Sequence, residues 1–192
     1  LENFNTSKVT DMNNMFYGNL YSEEWDLRGF DTSEVTNIAS MFYNNQSLIK
    51  IIVSEKFTTS KCVNMTAMFR YCYELLEIPF IDTSSSTNIS YLFERCKKIT
   101  SVHLLNADNV DNVSGIFTDC DSLVNLGGLK NLGKAYLTTR SENYSSYKLD
   151  LSKSTLLTEQ SLINVLNNLY DIASIGVKTQ QCILGSTNIA KL

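Results

Sequence analysis

Apolar residues fall along the first two thirds of the chain at spacings of three, three and one. The sets are Val9, Met12, Met15 and Phe16, then Val35, Ile38, Met41 and Phe42, then Cys62, Met65, Met68 and Phe69. A fourth set keeps Ile89, Leu92 and Phe93, and a fifth keeps Val110, Val113, Ile116 and Phe117. Such spacing predicts that each set lies on one face of a short helix. Thr10, Thr36, Thr87 and Asp111 stand just before these helices, where a side-chain oxygen accepts from the first free N–H groups. Val63 holds that position in the third set and cannot cap, so that turn is expected to be the weakest.

A second apolar pattern follows each set: Trp25 and Leu27, Ile51 and Val53, Ile78 and Phe80, Val102 and Leu104, then Leu126. Alternation over so few residues predicts short strands. Leu48, Leu75, Ile99 and Leu123 stand three residues upstream of four of them, giving the L-x-x-L-x-L outline of leucine-rich repeats. Leu20 to Glu24 does not fit that upstream rule.

Both patterns belong to one recurring unit. It reads FDTSEVTNIASMFYNN from Phe30, FNTSKVTDMNNMFYGN from Phe4, FTTSKCVNMTAMFRYC from Phe57, IDTSSSTNISYLFERC from Ile81 and LNADNVDNVSGIFTDC from Leu105, in steps of 26, 27, 24 and 24 residues. A period of this length marks stacked units that share one continuous core, because a single unit buries too little to fold alone. The predicted fold is an α/β solenoid, a leucine-rich-repeat-like right-handed superhelix of short strand plus short helix, with about five turns over residues 1–128. Phe16, Phe42, Phe69, Phe93 and Phe117 are expected to form one interior row. Residues 129–192 are expected to be degenerate repeats and a helix-containing cap of the same domain: a strand over Tyr147 to Leu151, a helix opening at Thr158 with Leu162, Ile163, Leu166 and Leu169 as its stripe, a strand over Gln181 to Leu184, and a last turn from Ser186. Leu1 to Asn3 read as the end of a preceding turn, so the chain is expected to be a trimmed fragment with any export signal removed.

Charge narrows the partners. The 192 residues carry a net charge of -4 from mixed residues without a basic run, which leaves phosphate-driven nucleic-acid binding no electrostatic basis. No stretch approaches ~18 consecutive apolar residues, so membrane insertion by this segment is not expected. Of five cysteines, Cys72, Cys96 and Cys120 share one repeat position. Turns of such a stack lie ~4.8 Å apart while a disulfide needs Cβ atoms roughly 3.5 to 4.5 Å apart, and side chains in a column point the same way. These thiols are expected to be free, buried and structural. A metal site would need convergent ligands, but Asn19 and Asn45 fill the same column in the first two copies and His103 is the single histidine.

Catalytic chemistry finds little support. The pairs Thr6-Ser7, Thr32-Ser33, Thr59-Ser60 and Thr83-Ser84 lack a base, since His103 lies outside every copy of the motif, and they read as turn and stacking groups that satisfy backbone amides. There is no P-loop and no dinucleotide fingerprint, and no cofactor is expected. Six N-x-S/T triplets, at Asn5, Asn45, Asn64, Asn88, Asn112 and Asn143, mostly coincide with the repeat consensus and need no glycan to explain them.

The DTSEVTNIASMF motif with its four relatives, over roughly Phe4 to Leu129, resembles the BspA-like class of bacterial surface leucine-rich repeats. Tyr147 to Leu192 is similar to the segment that follows such repeats in gut-bacterial members. The resemblance implies an extracellular or cell-surface, non-enzymatic protein that binds host proteins, other cells or matrix. If strands line one face, the candidate binding residues there are Glu24, Asp26, Lys50, Ile52, Glu77, Ser101, His103 and Asn125, with Pro79 and Gly127 between them. A varied surface on a uniform core is where a repeat protein places recognition of a protein or glycan. Ordinary solvated variability gives the same pattern, and a structural spacer presenting another module gives the same repeats.

Overall fold

The computed structural model describes residues 4–135, 148–169 and 182–192. The five copies lie over one another in register. Asp11, Asn37, Asn64, Asn88 and Asn112 form consecutive parallel bridges, one per copy. Short parallel strands add to this: β1 (Glu24–Asp26) pairs β2 (Lys50–Ile52), β3 (Ser101–Val102) pairs β5 (Asn125–Leu126), and β4 (Leu105–Asn106) pairs β6 (Leu129–Lys130). β7 (Leu149–Asp150) pairs β8 (Cys182–Ile183) in the tail.

The segments expected to be helical are instead chains of turns, and the backbone shows why. Alternate N–H groups donate to the next copy: Met12 to Asn37, Asn14 to Ala39, Phe16 to Met41 and Gly18 to Tyr43, at 2.9, 3.0, 2.9 and 2.8 Å between N and O. The intervening N–H groups close turns three residues back, as Met15 does onto Met12 and Tyr17 onto Asn14. Asn14, Ser40, Ala67 and Tyr91 take φ of 56° to 58° with Gly115 at 65° in the same column, which no α-helix accommodates. Turns bonded at three residues bring positions three apart to the same side, so a solvent-shielded turn ladder carries the same apolar spacing as a helix. Recognition of turn chemistry, rather than apolar period, separates the two.

The expected helix caps have another job. Thr36 donates through both N and Oγ1 to the Thr10 carbonyl, at 2.8 and 3.2 Å, so it ties one copy to the copy before it. The local turn is closed by the residue after it: Oδ1 of Asp11, Asn37, Asn64, Asn88 and Asn112 accepts the N–H two residues on. Val63 keeps the same backbone bond to Thr36, 2.8 Å, and lacks only the side-chain bond that Thr36 adds.

The interior is one continuous core. Phe16, Phe42, Phe69, Phe93 and Phe117 stack with centroid distances of 5.4, 5.6, 5.8 and 5.8 Å and near-parallel planes. Leu48, Leu75, Ile99 and Leu123 are fully buried beside them. Thr6, Thr32, Thr59 and Thr83 form a buried polar column: Thr59 Oγ1 donates to the Asp82 carbonyl and accepts the Asp82 N–H, both at 2.8 Å. Cys72, Cys96 and Cys120 are buried and unpaired, and each Sγ donates to the carbonyl of the preceding copy's Phe42, Phe69 or Phe93 at 3.0 to 3.1 Å. Asn45 does the same in its copy, donating to the Phe16 carbonyl at 2.7 Å.

The strand column departs from simple alternation. Val102 and Leu105 are buried, three apart, while Leu104 points out and Phe80 is 74% exposed, so Ile81 and Leu105 fill the inward places expected of Phe80 and Leu104. The third copy forms no strand over Ile78 and Phe80. Pro79 lacks an N–H and interrupts the ladder there.

The tail closes the fifth copy. Helix α1 (Glu159–Asn167) is capped by Thr158, which accepts from the Ser161 N–H. Ser161 Oγ in turn accepts the Leu126 N–H and donates to the Val124 carbonyl, at 3.0 and 3.1 Å, so the first turn of α1 covers the free edge of β5. Leu162 and Val165 are buried, whereas Leu166 is exposed and Ile163 half-buried; the inward stripe is 162, 165 and 169, not the expected 162, 163, 166 and 169. Gly128 permits this approach, since a Cβ there would lie 3.0 Å from the Asn164 carbonyl oxygen of α1, whereas Gly127 lets the fifth copy close on the fourth, where a Cβ would lie 2.3 Å from the Leu104 nitrogen. Helix α2 (Ser186–Ile189) packs the buried Asn188, whose Nδ2 donates to the carbonyls of Leu151 and Leu184 at 3.0 and 2.9 Å. The outer parts of the expected terminal strands, Tyr147 and Gln181, lie outside the described residues, as does most of the polar segment 129–147.

Candidate binding surface

The register that aligns the copies also pairs six of the eight candidate residues. Glu24 faces Lys50, Asp26 faces Ile52, and Ser101 faces Asn125 as strand neighbours. Lys50 Nζ lies 2.7 Å from Glu24, whose hydrogen bond and charge hold the ammonium pKa up. Asp26 is bound at 2.6 Å by Arg28, and that hydrogen bond draws its carboxyl down to about 2. Ile52 is half-buried rather than fully outward, and Asn125 is exposed.

Three of the eight meet in one place. Glu77, Ser101 and His103, with Leu76, Ile78 and Thr100, line an open groove of about 400 Å³ where the strand ladder is interrupted. His103 is anchored there: its Nε2 lies 2.8 Å from the Ile81 carbonyl and its ring stacks on Phe80 at 4.8 Å. A carbonyl only accepts, so Nε2 carries a proton, and in the neutral form of the ring the lone pair lies at Nδ1. Leu76, 49% exposed, lines the groove, and Leu104, next to His103 in the chain, is 45% exposed. Sequence reasoning missed Phe80 and Leu104 as surface residues because alternation assigned them to the core; Pro79 was the available signal that the third strand fails.

A second cluster on the turn segments escaped sequence reasoning altogether. Tyr17 stacks on Tyr43 at 4.7 Å and Tyr43 meets Tyr71 edge-on at 5.3 Å. The Arg70 guanidinium lies 4.9 Å from the Tyr71 ring and 4.7 Å from that of Tyr91, and its Nε faces Glu94 at 2.6 Å as an ion pair without linear hydrogen-bond geometry. Arg95 covers Tyr71 at 5.3 Å and pairs Asp119 at 3.2 Å. Reading down the column after each phenylalanine, Tyr17, Tyr43, Arg70, Glu94 and Thr118, would have exposed this row, since stacked units bring column neighbours together.

The buried thiols offer no nucleophile. Burial pushes Cys72 up to about 12 and Cys96 well above its usual value. Among the described residues, no helix is long and apolar enough to cross a membrane.

Neither a curated protein nor a solved structure matches the chain. A family model does, twice, over residues 1–76 and 49–138, and the overlap of the two matches is what a tandem repeat produces. The repeated unit, its aligned columns and these matches together place the chain in one family: it belongs to the family described as Mycoplasma protein of unknown function, DUF285.

Proposed function

We propose that this chain is a non-catalytic recognition module of the BspA-like bacterial surface type, with a leucine-rich-repeat-like solenoid fold, acting outside the cell or on its surface. It binds a protein or glycan partner along the strand-lined face, centred on the groove of Glu77, Ser101 and His103. The observation that carries the reading is the exposure of Phe80 and Leu76 beside that groove. Large apolar side chains grouped on a surface and rimmed by polar ones mark interaction sites rather than solvated variability. The residues along the same face vary from copy to copy over an unchanging phenylalanine row, the arrangement in which a repeat protein can place recognition.

The test is capture of labelled full chain by intact bacteria, epithelial cells and immobilised matrix. Phe80→Ala is expected to lower capture about tenfold, a loss of about 1.4 kcal/mol, by removing an exposed anchor. Tyr17→Ala, on the turn segments, is expected to leave it unchanged. Capture that survives both Phe80→Ala and charge reversal at Asp26, Lys50 and Glu77 would put the spacer reading in its place.

A further inference from the structure

The groove between the third and fourth copies has walls that discriminate among occupants. On the strand-lined column Lys50 is hydrogen-bonded to Glu24, and Glu77 acts on that ammonium only through its charge. Among the described residues Glu77 makes no ion pair of its own. Glu77 therefore brings to the groove a carboxylate that no ion pair among the described residues neutralises. His103 adds an acceptor at Nδ1, since Nε2 is held by the Ile81 carbonyl. An incoming group that donates or carries positive charge complements both.

The rim asks for apolar contact as well. Phe80 is 74% exposed yet fixed in orientation by stacking on the anchored His103 ring, so an occupant meets a preorganised apolar surface. The backbone supplies a third requirement. β3 pairs β5 on one side only, and residues 77–80 across the groove belong to no strand, so the strand ladder is open between the two walls. An extended peptide fits such an opening and seats alternate side chains in neighbouring pockets.

We propose that the groove binds an extended peptide segment presenting a basic side chain next to an apolar one, the basic head on Glu77 and the apolar group against Phe80 and Leu76. This rests on the strand-lined face being the recognition face. An acidic segment would meet like charge at Glu77, and a neutral glycan offers that carboxylate hydroxyl donors but no opposite charge.

The test uses the full chain and a probe the sequence supplies: His103 is the single histidine, so its imidazole proton signals report groove occupancy without assignment. Short synthetic peptides of alternating Leu and Arg, alternating Leu and Glu, and alternating Ser and Arg are titrated in, followed by a neutral maltooligosaccharide. The Leu/Arg peptide is expected to shift the His103 signals saturably, and the other three are not. Glu77→Gln and Phe80→Ala are each expected to weaken that peptide about tenfold. Equal binding of the Leu/Glu or Ser/Arg peptide, saturable shifts with the oligosaccharide, or indifference to Glu77→Gln would each overturn the proposal. If no peptide moves the signals while cell or matrix capture still depends on Phe80, the peptide inference falls and the surface reading stands. Selective Leu/Arg binding with capture indifferent to Phe80 upholds the peptide groove and removes the surface reading.

Discussion

The rings of Phe42 and Phe69 lie 5.6 Å apart and within 3° of parallel, each belonging to a different copy and each fully buried. Phe69 is covered on its other side by Phe93 at 5.8 Å, so it contributes to two layers at once. Phe69→Ala is expected to destabilise the chain by about 3 to 5 kcal/mol, the range for an aromatic deleted from a packed core. Phe16→Ala should cost less, because Phe16 is half-buried and stacks on one row neighbour only. Urea unfolding followed by circular dichroism compares the two.

Thr59 supplies both partners of the Asp82 peptide group, one hydrogen bond in each direction. Thr59→Val keeps the shape and leaves a part-buried donor and acceptor unpartnered, a loss of about 1 to 3 kcal/mol. Thr59→Ser retains the hydroxyl and is expected to recover most of it. A Val variant as stable as the Ser variant would show that the threonine column is packing alone.

Gly115 lies under the Tyr91 ring, and a Cβ there would sit 2.6 Å from a ring carbon. Its φ of 65° is matched by non-glycine residues in the same column of four other copies, so the ring is the main obstacle rather than the backbone. Gly115→Ala is expected to cost about 1 to 3 kcal/mol. In the Tyr91→Ala background the same change should cost clearly less, a coupling that a double-mutant cycle measures.

The buried thiols tie stability to alkaline pH. Burial raises Cys62 and Cys72 to about 12 from an ordinary 9.0, and raises Cys96 and Cys120 too. The folded chain therefore holds these protons more tightly than the unfolded one. Their contribution is fully present below pH 9 and is lost as pH rises from there towards 12. The urea midpoint is expected to fall above pH 9, and to fall less steeply in a Cys72→Ala, Cys96→Ala, Cys120→Ala variant. At neutral pH a thiol reagent should modify Cys182, half-buried in β8, before any of the four, and all five should react after denaturation.

Periodicity made the columns legible. The phenylalanine row, the cysteine column and the threonine column could each be read from recurrence, because a residue's neighbours above and below occupy the same place in the motif. Secondary structure within each unit was less legible, since turns bonded at three residues and helices share their apolar spacing; Asn14 and Ser40, at left-handed φ, carried the distinction. Alternation placed Phe80 and Leu104 inside because it ignores where the chain bends into the next copy, and Pro79 marks that bend. The tyrosine and arginine row, Tyr43 to Arg95, was invisible to a search for apolar periodicity because its contacts run between copies.

Both the core row and the groove follow from the copies lying in register. The most direct measurement of that register is a nuclear Overhauser spectrum of protein protonated only at its phenylalanine rings. Cross-peaks between Phe42 and Phe69, Phe69 and Phe93, and Phe93 and Phe117, with none between Phe42 and Phe93, are the predicted result. Absence of the neighbouring cross-peaks, or one that skips a copy, would contradict it.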